Sequence, residues 1–302
     1  MELKEAIGKY LDACRVRGFT PSTLDGIKLR LNCLKNHLSK YRIDSVTEVR
    51  PGHLDTYRAS LVAKGLAFGS RRSYVFAARS FFRWLHEGGK ILTNPACDII
   101  MANEDDEPLP APPMSEEDVS EILNSMPCRS PVDLRNKLHI ELLYSCGLRL
   151  TESLKLKVSD FDMANRSVRI HGKGGRIRTL PLMKGTLNAL RDYLALRRSL
   201  LKGPDCGTLL IGKTAGKPLS ELVIYTVLRA VAKRLRLKRK PNPHLFRHSI
   251  AVHLLQRGAD IRHVQEFLGH ANIDTTKIYL RLVPGRLKED YDKAMPDIAV
   301  KA

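Results

Sequence analysis

The chain has 302 residues, which is enough for two domains with separate hydrophobic cores. Its hydrophobic content of 43% excludes a mainly disordered chain, and no run approaches the ~20 apolar residues of a membrane span. The formal net charge of +19 creates a positive field that attracts polyanions, so nucleic acid is the expected partner. The first residues combine acids with amphipathic spacing and do not resemble a signal peptide, which predicts a cytoplasmic, nucleoid-associated protein.

The six cysteines are scattered along the chain and form no C-x-x-C pair. This spacing indicates neither a zinc site nor a disulfide framework. We expect most of them to be small apolar residues of the core. They are Cys14, Cys33, Cys97, Cys128, Cys146 and Cys206.

The N-terminal third predicts four amphipathic helices and no strand. Apolar residues at helical spacing define the first two helices, and Thr20 before a proline is the expected cap of the second. Pro51 is expected to begin the third helix and Ser70 to cap the fourth, while glycines close both. These helices predict a small all-α domain.

Two basic segments are candidate DNA contacts. On the fourth helix, arginines recur on the outer face, where phosphate binding and simple solvation are equally good interpretations. The run KRLRLKRK, residues 233–240, is strongly cationic, and phosphate contact is favoured there over a solvated face. The candidates are Arg71, Arg72, Arg79 and Arg83 in the helix, and Lys238, Arg239 and Lys240 in the run.

Residues 103–113, NEDDEPLPAPP, mix acids with prolines and contain almost no large apolar side chain. Because proline favours extended backbone, we expect a semi-rigid linker here. The linker predicts a boundary between an N-terminal helical DNA-binding domain, residues 1–102, and a second domain, residues 114–302.

The second domain is expected to be mainly helical with a small β-hairpin. The hairpin strands are Ser167–His171 and Arg176–Pro181, joined by a glycine-rich turn. A short capped turn is expected at Thr151, and one further strand at Leu209–Ile211. Helices are expected at residues 115–125, 132–146, around 187–194, 220–235, 243–253 and from 260 or 261 to 269.

Two cationic residues in the first half of this domain are candidates for chemistry. Arg149 stands among leucines after an apolar helix, where its planar guanidinium suits a phosphate or a carboxylate. Taken alone, an ordinary pair with Glu152 is the favoured interpretation. Lys173 protrudes between glycines that permit close approach of a ligand, although alone it is an ordinary turn lysine.

His244 and Arg247 share one helical face, after a proline that fixes the start of their helix. His248 follows His244 at the spacing of some zinc ligands. However, the glutamate of H-E-x-x-H is missing, and no cysteine or carboxylate stands nearby. We therefore predict no metal site and no cofactor.

These residues, together with His270 and Tyr279, fit phosphoryl transfer as a group. Singly, His270 suits a helix C-terminus and Tyr279 a hydrophobic core. Jointly, the arginines, histidines and lysine can hold phosphate oxygens and stabilise a pentacoordinate state. A tyrosine hydroxyl can attack the phosphorus, provided that cations or a base help it to ionise from its ordinary pKa near ~10.

The motifs resemble those of the tyrosine recombinases of the integrase and Xer class. The matching segments occur in order along nearly the whole chain, and Phe246 is a mild departure from the more familiar leucine that should only repack its helix. The segments are GLRLTE around Arg149, GKGGRIR around Lys173, HLFRHSIA around His244 and Arg247, LGHANIDTT around His270, and KIY with Tyr279.

The resemblance implies an N-terminal all-α core-binding (SAM-like) domain and a C-terminal α+β catalytic domain that clamp duplex DNA. It implies strand cleavage without metal or ATP, through a 3′-phosphotyrosyl link and a free 5′-hydroxyl. The implied roles are nucleophile for Tyr279, phosphate binding for Arg149 and Arg247, hydrogen-bond donation by His270, protonation of the 5′-oxygen by Lys173, base or positioning for His244, and orientation of Arg149 by Glu152.

The resemblance also implies a homo-tetramer on two DNA sites, with residues 285–302 available for exchange between subunits. Dimer resolution and integration or excision of a mobile element both stay open as biological roles. A type IB topoisomerase would use similar residues, but the N-terminal domain favours recombination. A non-catalytic DNA-binding protein is disfavoured by the complete set of six catalytic residue types. A metal-dependent nuclease would depend on Asp160 and Asp162, which more simply lead into the hairpin.

Overall fold

The structure, a computed structural model, describes residues 1–99, 111–172, 175–201, 203–212 and 217–269. The chain divides into two compact units, Met1–Pro108 and Leu109–Ala302. Helices dominate both units, and the described strands lie in the C-terminal unit, which confirms the predicted fold class. In the described ranges, no helix combines the length and apolar character needed to cross a membrane.

The N-terminal unit is a helical domain built on an aromatic core. Tyr10, Phe81 and Phe82 are buried, and the rings of Tyr10 and Phe81 meet edge to face at 5.6 Å. As predicted, the Thr20 side chain caps the second helix by accepting the Thr23 N–H at 3.3 Å. The second helix packs against the first and the fourth. The helices are α1 (Leu3–Val16), α2 (Pro21–Leu38), α3 (Pro51–Ala63) and α4 (Phe68–Glu87).

Two local predictions are wrong. Helix α4 begins at Phe68, before the predicted cap at Ser70, because the Ala67 carbonyl accepts the Arg71 N–H at 3.0 Å and closes the first turn without a side-chain cap. Most cysteines are not core residues, since only Cys14 and Cys146 are buried. Cys33 is half-buried, and the exposed Cys97, Cys128 and Cys206 lie in loops outside the apolar stripes of the helices.

The C-terminal unit packs its helices around α6, which contacts α5, α7, α8 and α10. Leu138, Ile140 and Leu142 of α6 are fully buried, so this helix forms the centre of the core. The predicted helices are confirmed, although the helix that starts at Pro243 continues beyond His253. Those in the described part of the unit are α5 (Glu116–Asn124), α6 (Pro131–Ser145), α7 (Leu150–Lys155), α8 (Lys184–Arg197), α9 (Glu221–Arg234), α10 (Pro243–Gln256) and α11 (Ile261–Leu268).

A three-stranded antiparallel sheet, in the order β1-β2-β3, lies beside these helices. The predicted hairpin is confirmed as β2 (Ser167–His171) and β3 (Ile177–Pro181), whereas β1 (Phe161–Asp162) was not predicted. The predicted strand at Leu209–Ile211 is wrong. Those residues are buried, but their neighbourhood pairs only through isolated bridges, Lys157 with Thr208 and Ile211 with Pro218, so no continuous ladder forms.

The segment that precedes α5 is bound to α10 through its backbone. The Met114 N–H donates to the Ser249 hydroxyl, and the Met114 carbonyl accepts from Nε2 of His253, each at 2.9 Å. Further along the segment, Nε2 of His248 donates to the Ala111 carbonyl at 2.8 Å. The end of the predicted linker, residues 103–113, therefore lies against α10, while its residues up to 110 are outside the described ranges.

Candidate active site

Arg149 stands at the N-cap of α7, one residue before the helix begins. The short capped turn predicted at Thr151 is therefore present as α7, but its cap is Arg149, and Thr151 lies within the first turn. Oε2 of Glu152, at the third helical position, accepts the Arg149 backbone N–H at 3.0 Å. Its Oε1 accepts from Nη1 of Arg149 at 2.8 Å. The Arg149 side chain is 36% exposed, so its guanidinium keeps one side toward solvent while Glu152 fixes the other.

Gly147 makes room for this turn. Its φ is +54°, a left-handed conformation that favours glycine, and it ends α6. A Cβ at this position would lie 3.0 Å from side-chain atoms of both Phe267 and Leu268. The close approach of α11 to this turn therefore requires glycine at position 147.

Arg247 is buried on α10, with a side chain that is 5% exposed. The helix begins at Pro243, as predicted, and Asn242 caps it by accepting the Leu245 N–H at 3.0 Å. One end of the Arg247 guanidinium donates to the Gly147 carbonyl at 2.5 Å, and the other donates to the Leu268 carbonyl at 2.6 Å. These bonds hold Arg247 beside the Arg149 turn.

Glu152 lies at the centre of three arginines, a group that we call the Glu152 cluster (Arg149, Glu152, Arg178 and Arg247). Its side chain is only 5% exposed. Nη2 of Arg178 is 3.0 Å from Oε2, and Nη1 of Arg247 is 3.9 Å from the same oxygen. Burial by itself raises the pKa of Glu152, but hydrogen bonds and charge from Arg178 first, and then Arg149, outweigh it and hold that pKa below its ordinary value. The carboxylate is therefore ionised near neutral pH.

Arg178 was not among the predicted site residues. It lies on β3 opposite Ile170, two positions before the buried Leu180. Because alternate residues of a strand share a face, Arg178 points to the same side as Leu180 and Ile170. An arginine on the same face of the strand as the apolar Leu180 was the signal in the sequence, since a cation at such an inward position needs a buried anion.

Three arginines bind successive carbonyls at the C-terminal end of α11. Nε of Arg178 donates to Phe267 at 2.9 Å, Nη2 of Arg247 to Leu268 at 2.6 Å, and Nη2 of Arg149 to Gly269 at 3.4 Å. These carbonyls are among the groups left without partners at a helix end, where cations are favoured. The next residue along the chain is His270.

The structure thus brings together Arg149, Glu152 and Arg247 of the predicted set. His244 is exposed in the first turn of α10, one helical turn before Arg247. The other three predicted residues, Lys173, His270 and Tyr279, lie outside the described ranges. For them, the assignment stays a prediction.

The residues considered for metal binding have other partners. His248 donates Nε2 to a backbone carbonyl, and burial lowers its pKa. Oδ2 of Asp160 accepts the Lys157 N–H at 2.8 Å, while Asp162 accepts the N–H groups of the turn after β1. In the part of the chain that the structure describes, no three His, Cys, Asp or Glu side chains are grouped as metal ligands.

Comparison with known proteins identifies the family. The Phage integrase family matches residues 113–285. The chain is 33% identical to tyrosine recombinase XerC of Chromobacterium violaceum, over 97% of this chain and 95% of that protein. The chain is a tyrosine recombinase of the phage integrase family. The predicted resemblance is therefore confirmed, and the protein is an enzyme of site-specific DNA recombination.

Further relatives of the recombinase are of the Xer type. It is 35% identical to tyrosine recombinase XerD of Listeria innocua, over 74% of this chain and 75% of that protein. Among solved structures, it is similar to the XerH site-specific recombinase bound to palindromic difH substrate in a post-cleavage complex. That likeness has a TM-score of 0.77 and 25% identity, and it covers 91% of this chain and 81% of the other. These relatives favour a recombinase over a type IB topoisomerase.

The predicted DNA contacts of the recombinase lie on two surfaces. On α4, Arg71, Arg72 and Arg79 are half-buried. Arg72 lines a groove of about 710 Å³ between α1, α2 and α4, which is also lined by Arg17, Arg30 and Arg83. In the other segment, Lys238, Arg239 and Lys240 are exposed, and Arg239 also donates to the Pro112 carbonyl. A contact with DNA stays a prediction for both surfaces.

Proposed function

We propose that this recombinase breaks and rejoins DNA strands at a specific site through a covalent link between Tyr279 and a 3′-phosphate. The observation that carries the proposal is the Glu152 cluster. One buried carboxylate and a set of backbone carbonyls hold Arg149 and Arg247 in fixed positions. Fixed cations stabilise the charge that develops on a phosphate during transfer without reorganising at the moment of reaction.

In the proposed reaction, the Tyr279 oxygen forms a bond to phosphorus while the bond from phosphorus to the 5′-oxygen breaks. Arg149 and Arg247 hold the nonbridging oxygens, and His270 donates a further hydrogen bond. Lys173 gives its proton to the departing 5′-oxygen, and His244 assists the ionisation of Tyr279. The phosphotyrosyl bond keeps the energy of the broken bond, so a 5′-hydroxyl from another strand reverses the step without ATP.

The proposed partner is double-stranded DNA, which agrees with the net charge of +19 and with the DNA-bound state of the related XerH structure. The proposed active assembly is a homo-tetramer on two sites, with residues 285–302 exchanged between subunits. Dimer resolution and integration or excision of a mobile element use the same strand chemistry, so the proposal covers both. DNA flanking the gene distinguishes the two roles: paired inverted repeats around a short spacer indicate the first, and element boundaries the second.

The test uses the full chain and a target site selected from flanking DNA or a random library by binding. A suicide substrate, nicked near the scissile phosphate, should trap a covalent adduct with the native protein. Tyr279→Phe should bind the DNA but form no adduct, whereas the matched Tyr291→Phe should form it normally. Peptide mapping that placed the DNA on Tyr291 would overturn the assignment. Loss of cleavage in EDTA, with recovery on addition of magnesium, would also overturn it.

Lys173 is tested with a substrate whose 5′-bridging oxygen is replaced by sulfur. A thiolate leaves without a proton far more readily than an alkoxide, so the altered substrate removes the need for a general acid. Lys173→Ala should cleave ordinary DNA slowly and the sulfur-containing DNA at close to the native rate. Equal defects on both substrates would mean that Lys173 is not the acid.

A further inference from the structure

We propose that Arg178 is a positioning residue of the recombination reaction. It would act through Glu152 on Arg149, and through the end of α11 on the chain that leads to His270. The inference rests on the proposed function and adds to it a residue outside the phosphate-binding set.

The hydrogen bonds of Arg178 are directed inward. Its Nη2 and Nη1 donate to the two carboxylate oxygens of Glu152, at 3.0 and 3.3 Å, and its Nε donates to the Phe267 carbonyl at 2.9 Å. The side chain is 11% exposed. Because Nε, Nη1 and Nη2 of Arg178 all donate to protein acceptors, this guanidinium is suited to hold Glu152 and the end of α11 in place.

The two-point bond from Arg178 fixes the plane of the Glu152 carboxylate. With that plane fixed, Oε1 faces Nη1 of Arg149 at 2.8 Å, and Oε2 stays 3.9 Å from Nη1 of Arg247. A carboxylate without this restraint is free to rotate away from Arg149 and toward Arg247. Arg178 thereby fixes the carboxylate against Arg149 and keeps it from forming a closer pair with Arg247.

Arg178 also links three segments of the site. It stands on β3, five residues after Lys173, and contacts both the Arg149–Glu152 turn and the end of α11. The contact with α11 is close, since a Cβ added at Gly269 would lie 2.8 Å from Nη1 of Arg178. One side chain therefore connects the strand that follows Lys173, the turn that carries Arg149 and the helix end before His270.

The experiment compares Arg178→Met and Arg178→Lys with native protein in the suicide-substrate assay, with Arg169→Met as the matched control. Arg169 is an exposed arginine on the neighbouring strand β2. Both Arg178 variants should bind DNA with native affinity and cleave about 10- to 100-fold more slowly, the effect of a misplaced reacting group. Arg178→Lys keeps the charge but cannot form the two-point bond to Glu152, so it provides the test of positioning if Arg178→Met does not fold. Arg169→Met should cleave at the native rate.

Two readouts separate positioning from a merely structural role. Glu152→Gln combined with Arg178→Met should be no slower than Glu152→Gln alone, because both changes remove the same restraint. Cleavage by Arg178→Met should also slow more than native cleavage as the pH is lowered. Without the Arg178 cation, burial raises the pKa of Glu152, so the carboxylate is protonated more readily. Native cleavage rates in the Arg178 variants, or additive losses in the double variant, would overturn this inference. Absence of any adduct with native protein would instead overturn the proposed function.

Discussion

Replacement of Glu152 by glutamine should destabilise the C-terminal unit while leaving the N-terminal unit unaffected. The substitution keeps the size of the side chain and removes the only anion of the Glu152 cluster. Arg247 and Arg178, with side chains 5% and 11% exposed, would then both lose the buried carboxylate that lies within 4 Å of each. Arg149 is 36% exposed and adds little, because water screens its charge.

The expected size of the effect follows from that burial. Removal of one partner from a buried ion pair costs about 3–5 kcal/mol. The lower end applies here, because a glutamine oxygen still accepts one hydrogen bond, so we expect a loss of about 3 kcal/mol in the free energy of unfolding. With a urea dependence of about 2 kcal/mol per molar, the midpoint of the C-terminal unit should fall by about 1.5 M.

The chain provides its own internal control for the measurement. Its single tryptophan, Trp84, lies on α4, so tryptophan fluorescence reports the N-terminal unit, while far-ultraviolet circular dichroism reports both units. Glu152→Gln should shift the dichroism transition and leave the Trp84 transition in place. Glu121→Gln, at an exposed glutamate of α5, is the matched control and should shift neither. A dichroism midpoint within about 0.3 M of native for Glu152→Gln would refute the reasoning.

Two further predictions concern the same unit. Gly269→Ala should lower the free energy of unfolding by about 1–2 kcal/mol because of the left-handed φ of +65°, and further because the added Cβ would lie 2.8 Å from Arg178. The control Gly258→Ala, at φ +88° with open space around it, should show only the backbone cost. Equal urea midpoints for the two variants would contradict this prediction. Burial first, and then the charge of Arg135, lower the pKa of His139 to about 3. The contribution of the neutral imidazole to the free energy of unfolding is therefore complete above the ordinary pKa of 6.5 and declines as the pH falls toward 3. Unfolding free energy should therefore drop by about 1.4 kcal/mol from pH 7.5 to 5.5, and His139→Gln should remove that slope; an unchanged slope would contradict the assignment.

Helices were predictable from the sequence because their signals are local. Thr20, Pro51 and Pro243 marked true helix starts, since a cap or an N-terminal proline acts within a single turn. The prediction of a strand at Leu209–Ile211 was wrong because these apolar residues are buried in the core without pairing in a sheet. Strand β1 has only two residues, too few to show an alternating pattern.

The site was predictable where chemistry and spacing coincide. Arg149, Glu152 and Arg247 stood in recognisable motifs, and the structure brings them together. The connection of Arg178 to Glu152 spans 26 positions of the chain, and no local pattern specifies which anion an inward arginine meets. Because Arg178 and Leu180 are alternate residues of the same strand, the sequence predicts that the arginine points inward, but it does not show which anion the arginine meets.

The bonds from Met114 to α10 decide where the C-terminal unit can be cut from the rest of the chain. A fragment that starts at Ser115, the cap of α5, would leave Nε2 of the buried His253 without its acceptor and Ser249 without a donor. Ala111 also accepts from His248 on the same helix. A protease site or an affinity tag placed before residue 111 preserves these bonds, whereas one placed at the start of the first helix of the unit removes support from the helix that carries Arg247.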